Sequence, residues 1–216
     1  MPLKFKLLLI LLTVVILPTK SNFDKRINES LHGGKVSTTA YTTWQLYKYR
    51  DVALMRKSPM CWCPFRAYLA VRNNVKVYTY DNKNWIEINT DLYNILKDEA
   101  EVNRKFAQSF KAKGNRKQIV RKIYKYCKST EYKIHVKYAS NVFKDRQGDC
   151  AGIASAFYVL CKAKGIPVRY VIGWDDGYCH AWNRVKIDGK WYWIDATCGK
   201  WLKRKQYSGR TVMEIW

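Results

Sequence analysis

The chain has 216 residues, 48% of them hydrophobic and 15% aromatic, which is enough for one ordinary domain with a small appendage and too apolar for a disordered chain. Forty Lys and Arg against 17 Asp and Glu give a formal charge of +23, so the chain is drawn to polyanions. No nucleic-acid-binding motif accompanies that charge, which points to an anionic cell wall or membrane surface as partner rather than to nucleic acid.

The opening stretch, MPLKFKLLLILLTVVILPTKSN, sets Lys4 and Lys6 before 13 uncharged residues, Leu7 to Thr19. A bilayer-spanning helix needs about 20 apolar residues, so this run fits the apolar region of a secretory signal better. Thr19 and Ser21 place small residues at cleavage-site spacing. Residues 1–21 are therefore read as a signal peptide, with an uncleaved membrane anchor as the alternative, and the protein as secreted or held at the cell surface. Removing that segment takes away three lysines and no acid, leaving +20.

Residues 22–60 show weak periodicity and yield no assignment. NVKVYTYDNKNWIEIN predicts two short strands around a turn at 81–84. DLYNILKDEAEVNRKFAQSFKAKG then predicts a helix up to Gly114, and a second helix runs from Arg116 to Ser129. In the second helix Ile119, Val120, Ile123, Tyr124 and Cys127 recur at amphipathic spacing, so its dense basic residues form a solvated face. Residues 22–110 thus make an N-terminal region of unassigned fold, β-rich and then helical, and residues 111–216 make the core.

The last third is the most legible. In GDCAGIASAFYVLCKAKGIP, Cys150 opens a helix whose Ile153, Ala154, Phe157, Leu160 and Cys161 form one apolar face, and Gly165 with Pro167 ends it. PVRYVIGW is a strand. HAWNRVKIDGKWYWIDAT is a hairpin turning at Asp188-Gly189, a dipeptide suited to positive φ angles. If Ile187 faces Lys190, then Trp182 faces Asp195 and His180 faces Thr197. Period-two alternation puts all four on one face, with His180 and Asp195 diagonal neighbours. A carboxylate on that diagonal can fix an imidazole's tautomer and stabilise its charged form. A thiol at a helix N-terminus feels the positive end of the helix dipole, which eases loss of its proton. The adjacent Asp149 works against this unless its charge is spent capping the helix.

Six cysteines besides Cys150 remain: Cys61, Cys63, Cys127, Cys161, Cys179 and Cys198. Export would permit disulfides among them. Cys179 and Cys198 obey the hairpin's register and are the candidate pair, although a bridge at such a position is strained. No metal site is expected: CWCP has no partner pair for zinc, WDDG has too few oxygens for calcium, and His32 and His135 read as surface residues.

These segments resemble the transglutaminase-like superfamily of papain-type cysteine enzymes, in its bacterial secreted form. That family carries a G-x-C motif at a helix start, H-A-W on a strand and D-x-T on the next. The likeness covers roughly half the chain. It implies an α+β fold, a papain-like core with the nucleophile helix packed on an antiparallel β-sheet, plus a small N-terminal region. It also implies Cys150 as nucleophile, His180 as general acid and base, and Asp195 as the residue orienting the imidazole, with no cofactor. Gln147 is then a candidate oxyanion donor beside the Cys150 N–H, and Trp174 and Trp182 are candidates to line an acyl groove. The expected activity is acyl transfer on protein or peptide amides, ending in crosslinking or in hydrolysis. The alternative is a basic wall- or surface-binding module on a non-catalytic scaffold of the same family.

Overall fold

A computed structural model of the chain describes residues 36–37, 41–42, 44–49, 52–57, 77–80, 83–88, 90–175, 178–203 and 210–215, and residues 35–216 form one compact unit. The signal-peptide reading of residues 1–21, and Cys61, Cys63 and His32, lie outside the described residues. No helix among those described is long and apolar enough to cross a membrane.

The N-terminal part of this unit is an antiparallel sheet of β1 (Val36–Ser37), β2 (Trp44–Tyr49), β3 (Val52–Lys57), β4 (Val77–Tyr80) and β5 (Lys83–Ile88), in the order β1-β2-β3-β5-β4. Three of these strands fall in the stretch whose periodicity gave no assignment. Tyr80 pairs with Lys83, so β5 begins inside the turn expected at 81–84.

Helix α1 (Thr90–Ser109) ends short of the expected Gly114. Phe110 sits just past it, with ring centroids 5.4 Å from Tyr126 and 6.1 Å from Phe106, while Phe106 stacks on Phe143 at 4.3 Å. Burying that aromatic group offsets the loss of another helical turn. Gly114, at φ +117, then reverses the chain. Helix α2 (Arg116–Lys128) opens with a reciprocal capping box: Gln118 N–H donates to Asn115 at 3.0 Å and Asn115 N–H to Gln118 at 2.9 Å. Val120, Ile123 and Cys127 are its buried face, as its spacing predicts.

The segment entering the nucleophile helix is built from β6 (Glu131–Tyr132), α3 (Ala139–Lys144) and β7 (Gln147–Gly148), with β6 and β7 paired in parallel. Helix α4 (Cys150–Ala163) follows at once. Every residue from Gly152 to Cys161 is buried. The sequence suggests one apolar face, but α4 is the central rod of the core, with the C-terminal sheet on one side and α1, α2 and α3 on others. Phe157, Ile153 and Leu160 are among its fully enclosed side chains. Each contributes about 1.5–3 kcal/mol by leaving water. The helix closes with Gly165 at φ +66, Gly165 N–H donating to Lys162 O at 3.0 Å and Ile166 N–H to Cys161 O at 2.9 Å.

The C-terminal sheet is antiparallel, β11-β10-β9-β8-β12, from β8 (Val168–Asp175), β9 (Tyr178–Ile187), β10 (Lys190–Asp195), β11 (Lys200–Lys203) and β12 (Arg210–Ile215). The hairpin turns at Asp188 (φ 48) and Gly189 (φ 79), and Lys190 pairs with Ile187 through to Ile194 with Asn183, the register read from the sequence. Asn183 ties this sheet to α4 by donating to Ala154 O at 3.1 Å. The result is an α+β fold with the nucleophile helix packed on an antiparallel sheet.

Candidate active site

Asp149 has an extended backbone, φ −82 and ψ −176, and caps α4: its carboxylate accepts the N–H groups of Ala151 at 2.9 Å and Gly152 at 3.0 Å. Its charge is thereby spent on helix donors. Cys150, the first helical residue, keeps its own N–H clear of the cap and sits half-buried at the positive end of the helix.

His180 lies near the start of β9, opposite Gly173 of β8, and Asp195 is the last residue of β10. His180 Nε2 and Asp195 Oδ2 are 2.7 Å apart, and the carboxylate is fully enclosed. Asp195 Oδ1 accepts the Cys198 N–H at 3.0 Å, so both its oxygens are engaged. Burial opposes charge on the imidazole. The hydrogen bond the ring donates to Asp195 and the Cys150 thiol within hydrogen-bonding reach outweigh it, raising the ring to about 10. The same partnership lowers Asp195 against the burial that would raise it. With Nε2 turned to Asp195, the ring's Nδ1 is the atom left for Cys150. The structure thus brings together Cys150, His180 and Asp195.

The other candidates fare differently. Gln147 Nε2 donates to Glu131 at 3.1 Å, and its Oε1 accepts from Lys133 at 3.1 Å, so its amide is held by neighbours. Trp182 is fully buried, with its ring 5.8 Å from both His180 and Trp193; it backs the imidazole and lines no groove. Trp174 is 42% exposed, but it pairs with Cys179 and projects from the sheet face opposite to His180. His135 is exposed.

Cys179 and Cys198 are not bridged; both are thiols, as are Cys127 and Cys161. The register that would oppose them stops where β10 stops. Beyond Asp195 the chain turns, with Gly199 at φ 70, and pairs Asp195 with Lys200. Cys198 is carried into that turn, its Sγ 3.9 Å from His180 Nε2. Two thiols therefore approach one imidazole. Burial and the Asp195 charge push the Cys198 thiol up to about 11, which keeps it protonated at neutral pH. His180, Asp195 and Cys198 also offer one ligand atom each within 4.8 Å of one another. A cation there would take Nε2 and Oδ2, the atoms of the 2.7 Å bond, so it would dismantle the pairing that orients the ring.

Sequence reasoning missed Cys198 in this position, and it missed that β6 sets Tyr132 beside the strand leading into Cys150. No local pattern announces either residue, since one depends on where a strand ends and the other on a parallel pairing.

A cysteine opening a buried helix, next to a histidine held by a carboxylate on an antiparallel sheet, is the arrangement of papain-like cysteine enzymes. Residues 104–196 match the family model of the transglutaminase-like superfamily. Over 75 residues the chain is 27% identical to the kyphoscoliosis peptidases of Homo sapiens and Mus musculus, a match covering 29% of this chain and 11% of theirs. The chain thus spans about a tenth of the length of those relatives. Calcium-bound LapG of Legionella pneumophila aligns with a TM-score of 0.43 at 16% identity, over 55% of this chain and 83% of that one. A score of that size carries no structural inference.

Proposed function

We propose that this protein is a secreted cysteine-dependent acyl-transfer enzyme acting on protein or peptide amides, with Cys150 as nucleophile. The observation that carries the reading is the 2.7 Å His180–Asp195 bond beside a thiol at a helix N-terminus. The Cys150 thiolate adds to the amide carbonyl, and the tetrahedral oxyanion meets the Cys150 N–H. Imidazolium His180 gives its proton to the departing amine, leaving a thioester on Cys150. An amine or water then attacks the thioester while neutral His180 takes up its proton, and Cys150 leaves as thiolate, restoring the thiolate and imidazolium of the start. Asp195 holds the ring through both halves. The arrangement of residues serves crosslinking and hydrolysis equally, because the acceptor enters only at the second step.

A peptide library incubated with and without an added amine, read by mass spectrometry, tests this. Cleaved, deamidated or amine-bearing products should form with the natural chain and fall at least about a thousandfold in Cys150→Ala. Turnover that survives in Cys150→Ala would overturn the reading. A chain that never turns over but is retained by anionic wall polymers would favour a surface-binding role instead. The +23 charge supports such attraction in either case.

A further inference from the structure

His180 of β9, Asp195 at the end of β10 and Cys198 in the turn beyond it bring an imidazole nitrogen, a carboxylate oxygen and a thiol sulfur within 4.8 Å of one another. His180 Nε2 stands 2.7 Å from Asp195 Oδ2 and 3.9 Å from Cys198 Sγ. A zinc ion with bonds of about 2.0–2.3 Å to N, O and S holds such atoms roughly 3–4 Å apart, so shifts of about 1 Å seat one. The turn is fixed: Asp195 Oδ1 accepts the Cys198 N–H at 3.0 Å, and Gly199 at φ 70 returns the chain to β11. Lys200, the next cation along the chain, bonds Asp175 at 3.2 Å. The carboxylate and imidazole are mostly enclosed while Cys198 is exposed, which gives the cluster a protected floor and an open entry. Imidazole, carboxylate and thiolate are the ligand set of zinc, whereas calcium and magnesium take oxygen. The +23 charge opposes any cation, so the bonds to sulfur and nitrogen must supply the affinity.

We propose that His180, Asp195 and Cys198 form a binding site for Zn2+, and that filling it silences the chemistry of Cys150. The site stands on geometry; its effect on turnover rests on Cys150 being the nucleophile. Starting from imidazolium and thiol, binding releases the Nε2 proton and the Cys198 proton to solvent. Metal–nitrogen and metal–sulfur bonds form, Asp195 Oδ2 gives the third, and water fills the fourth position. The ring is left with one proton on Nδ1 and no free nitrogen, so it cannot take up the proton of an incoming amine or water. The 2.7 Å Nε2–Oδ2 bond is replaced, so metal and catalytic pairing exclude one another. Zinc thus acts through Cys198, a thiol the reaction itself does not use.

Cobalt(II) reports such a site directly, because a thiolate ligand gives it a charge-transfer band in the near ultraviolet and four-coordination gives visible absorption. The full, reduced chain is titrated with Co2+ and then with Zn2+ as competitor. The natural chain should take up one equivalent more than Cys198→Ser, which lacks that equivalent's thiolate band, and His180→Gln should bind it at least about tenfold more weakly. Cys150→Ser should bind as the natural chain does. Loss of the band in Cys150→Ser but not in Cys198→Ser would place the metal on the nucleophile and overturn the proposal. Equal uptake by the natural chain and Cys198→Ser, as from binding at Cys61 and Cys63 alone, would overturn it too. In the peptide-library assay, one equivalent of Zn2+ should stop turnover of the natural chain until a chelator removes it, with Cys198→Ser at least about tenfold less sensitive. Turnover unaffected by bound zinc would overturn the silencing. A chain that never turns over, with metal or without, would sink the acyl-transfer reading instead, and the cobalt spectra would still decide the site.

Discussion

The charge state of His180 is the most consequential residue-level feature. Its ring is raised from an ordinary 6.5 to about 10, so the folded chain favours the imidazolium. A base raised on folding contributes stability that is fully present below about pH 6.5 and is lost as pH rises through about 10. Asp195, lowered on folding, contributes stability present above its ordinary 3.8 and lost as pH falls through its folded value. Urea melts of the natural chain and His180→Ala should differ most between those limits, and the gap should narrow on the alkaline side; a gap independent of pH would contradict the ion pair. The pH profile of iodoacetamide labelling at Cys150 should likewise depend on the imidazole beside it. His180→Ala should shift that labelling profile upward, and Asp195→Asn should shift it less, since Asp195 acts through the ring. Cys198 stands 3.9 Å from the same imidazole but is held protonated. Cys198→Ser should leave the Cys150 labelling rate within about twofold, and a collapse of labelling would show that the second thiol takes part.

At the scale of elements, the start of α4 is where stability and chemistry meet. Asp149 satisfies two of the helix's orphan donors, and its replacement by Ala should cost about 0.5–2 kcal/mol in a denaturant melt. Asp149→Asn, still a capable cap, should cost much less. Equal losses from the two variants would mean that the carboxylate's charge matters more than its hydrogen bonds. Gly152 presents a different constraint. A Cβ at this position would lie 2.6 Å from Val136 O, because the segment after β6 crosses directly over the first turn of the helix. Ala is the better helix former by about 1 kcal/mol, yet Gly152→Ala should destabilise by about 1–3 kcal/mol, since a backbone carbonyl cannot step aside as a side-chain tip can. A stabilised Gly152→Ala would show that this crossing is looser than the contact implies.

Across the whole molecule, charge is laid out with a direction. Helix α2 buries Val120, Ile123 and Cys127, and leaves Arg116, Lys117, Arg121, Lys122, Lys125 and Lys128 exposed with no acidic residue in its sequence. Its C-terminal end reaches the site, where the Lys128 side chain lies against Gly199 in the turn that carries Cys198. We expect this face to carry attraction to polyanions. Replacing Lys117, Arg121 and Lys125 together by Gln should lower the salt needed for elution from immobilised heparin while leaving the melting temperature and Cys150 labelling unchanged. Unaltered elution would assign the attraction to basic residues elsewhere.

Much of the site was legible in the amino-acid order because the forces that build it are local. Asp188-Gly189 sets a two-residue turn and pins the register of β9 on β10, and parity alone then puts His180 and Asp195 on one face. The cap at Asp149 and the glycine stop at Gly165 mark the limits of α4 in the same way. What could not be read depends on contacts between distant segments. Trp182 resembles a groove residue until its burial against Trp193 is known, and Trp174 until its face is counted. Nothing near Ser155 or Tyr158 announces that α4 is enclosed on every side. Cys198 needed the end of β10, and Tyr132 needed a parallel pairing between strands 16 residues apart. Turns, caps and strand parity are settled by neighbours along the chain, whereas burial and the meeting of separate strands are settled by how whole elements pack, which no short stretch of residues encodes.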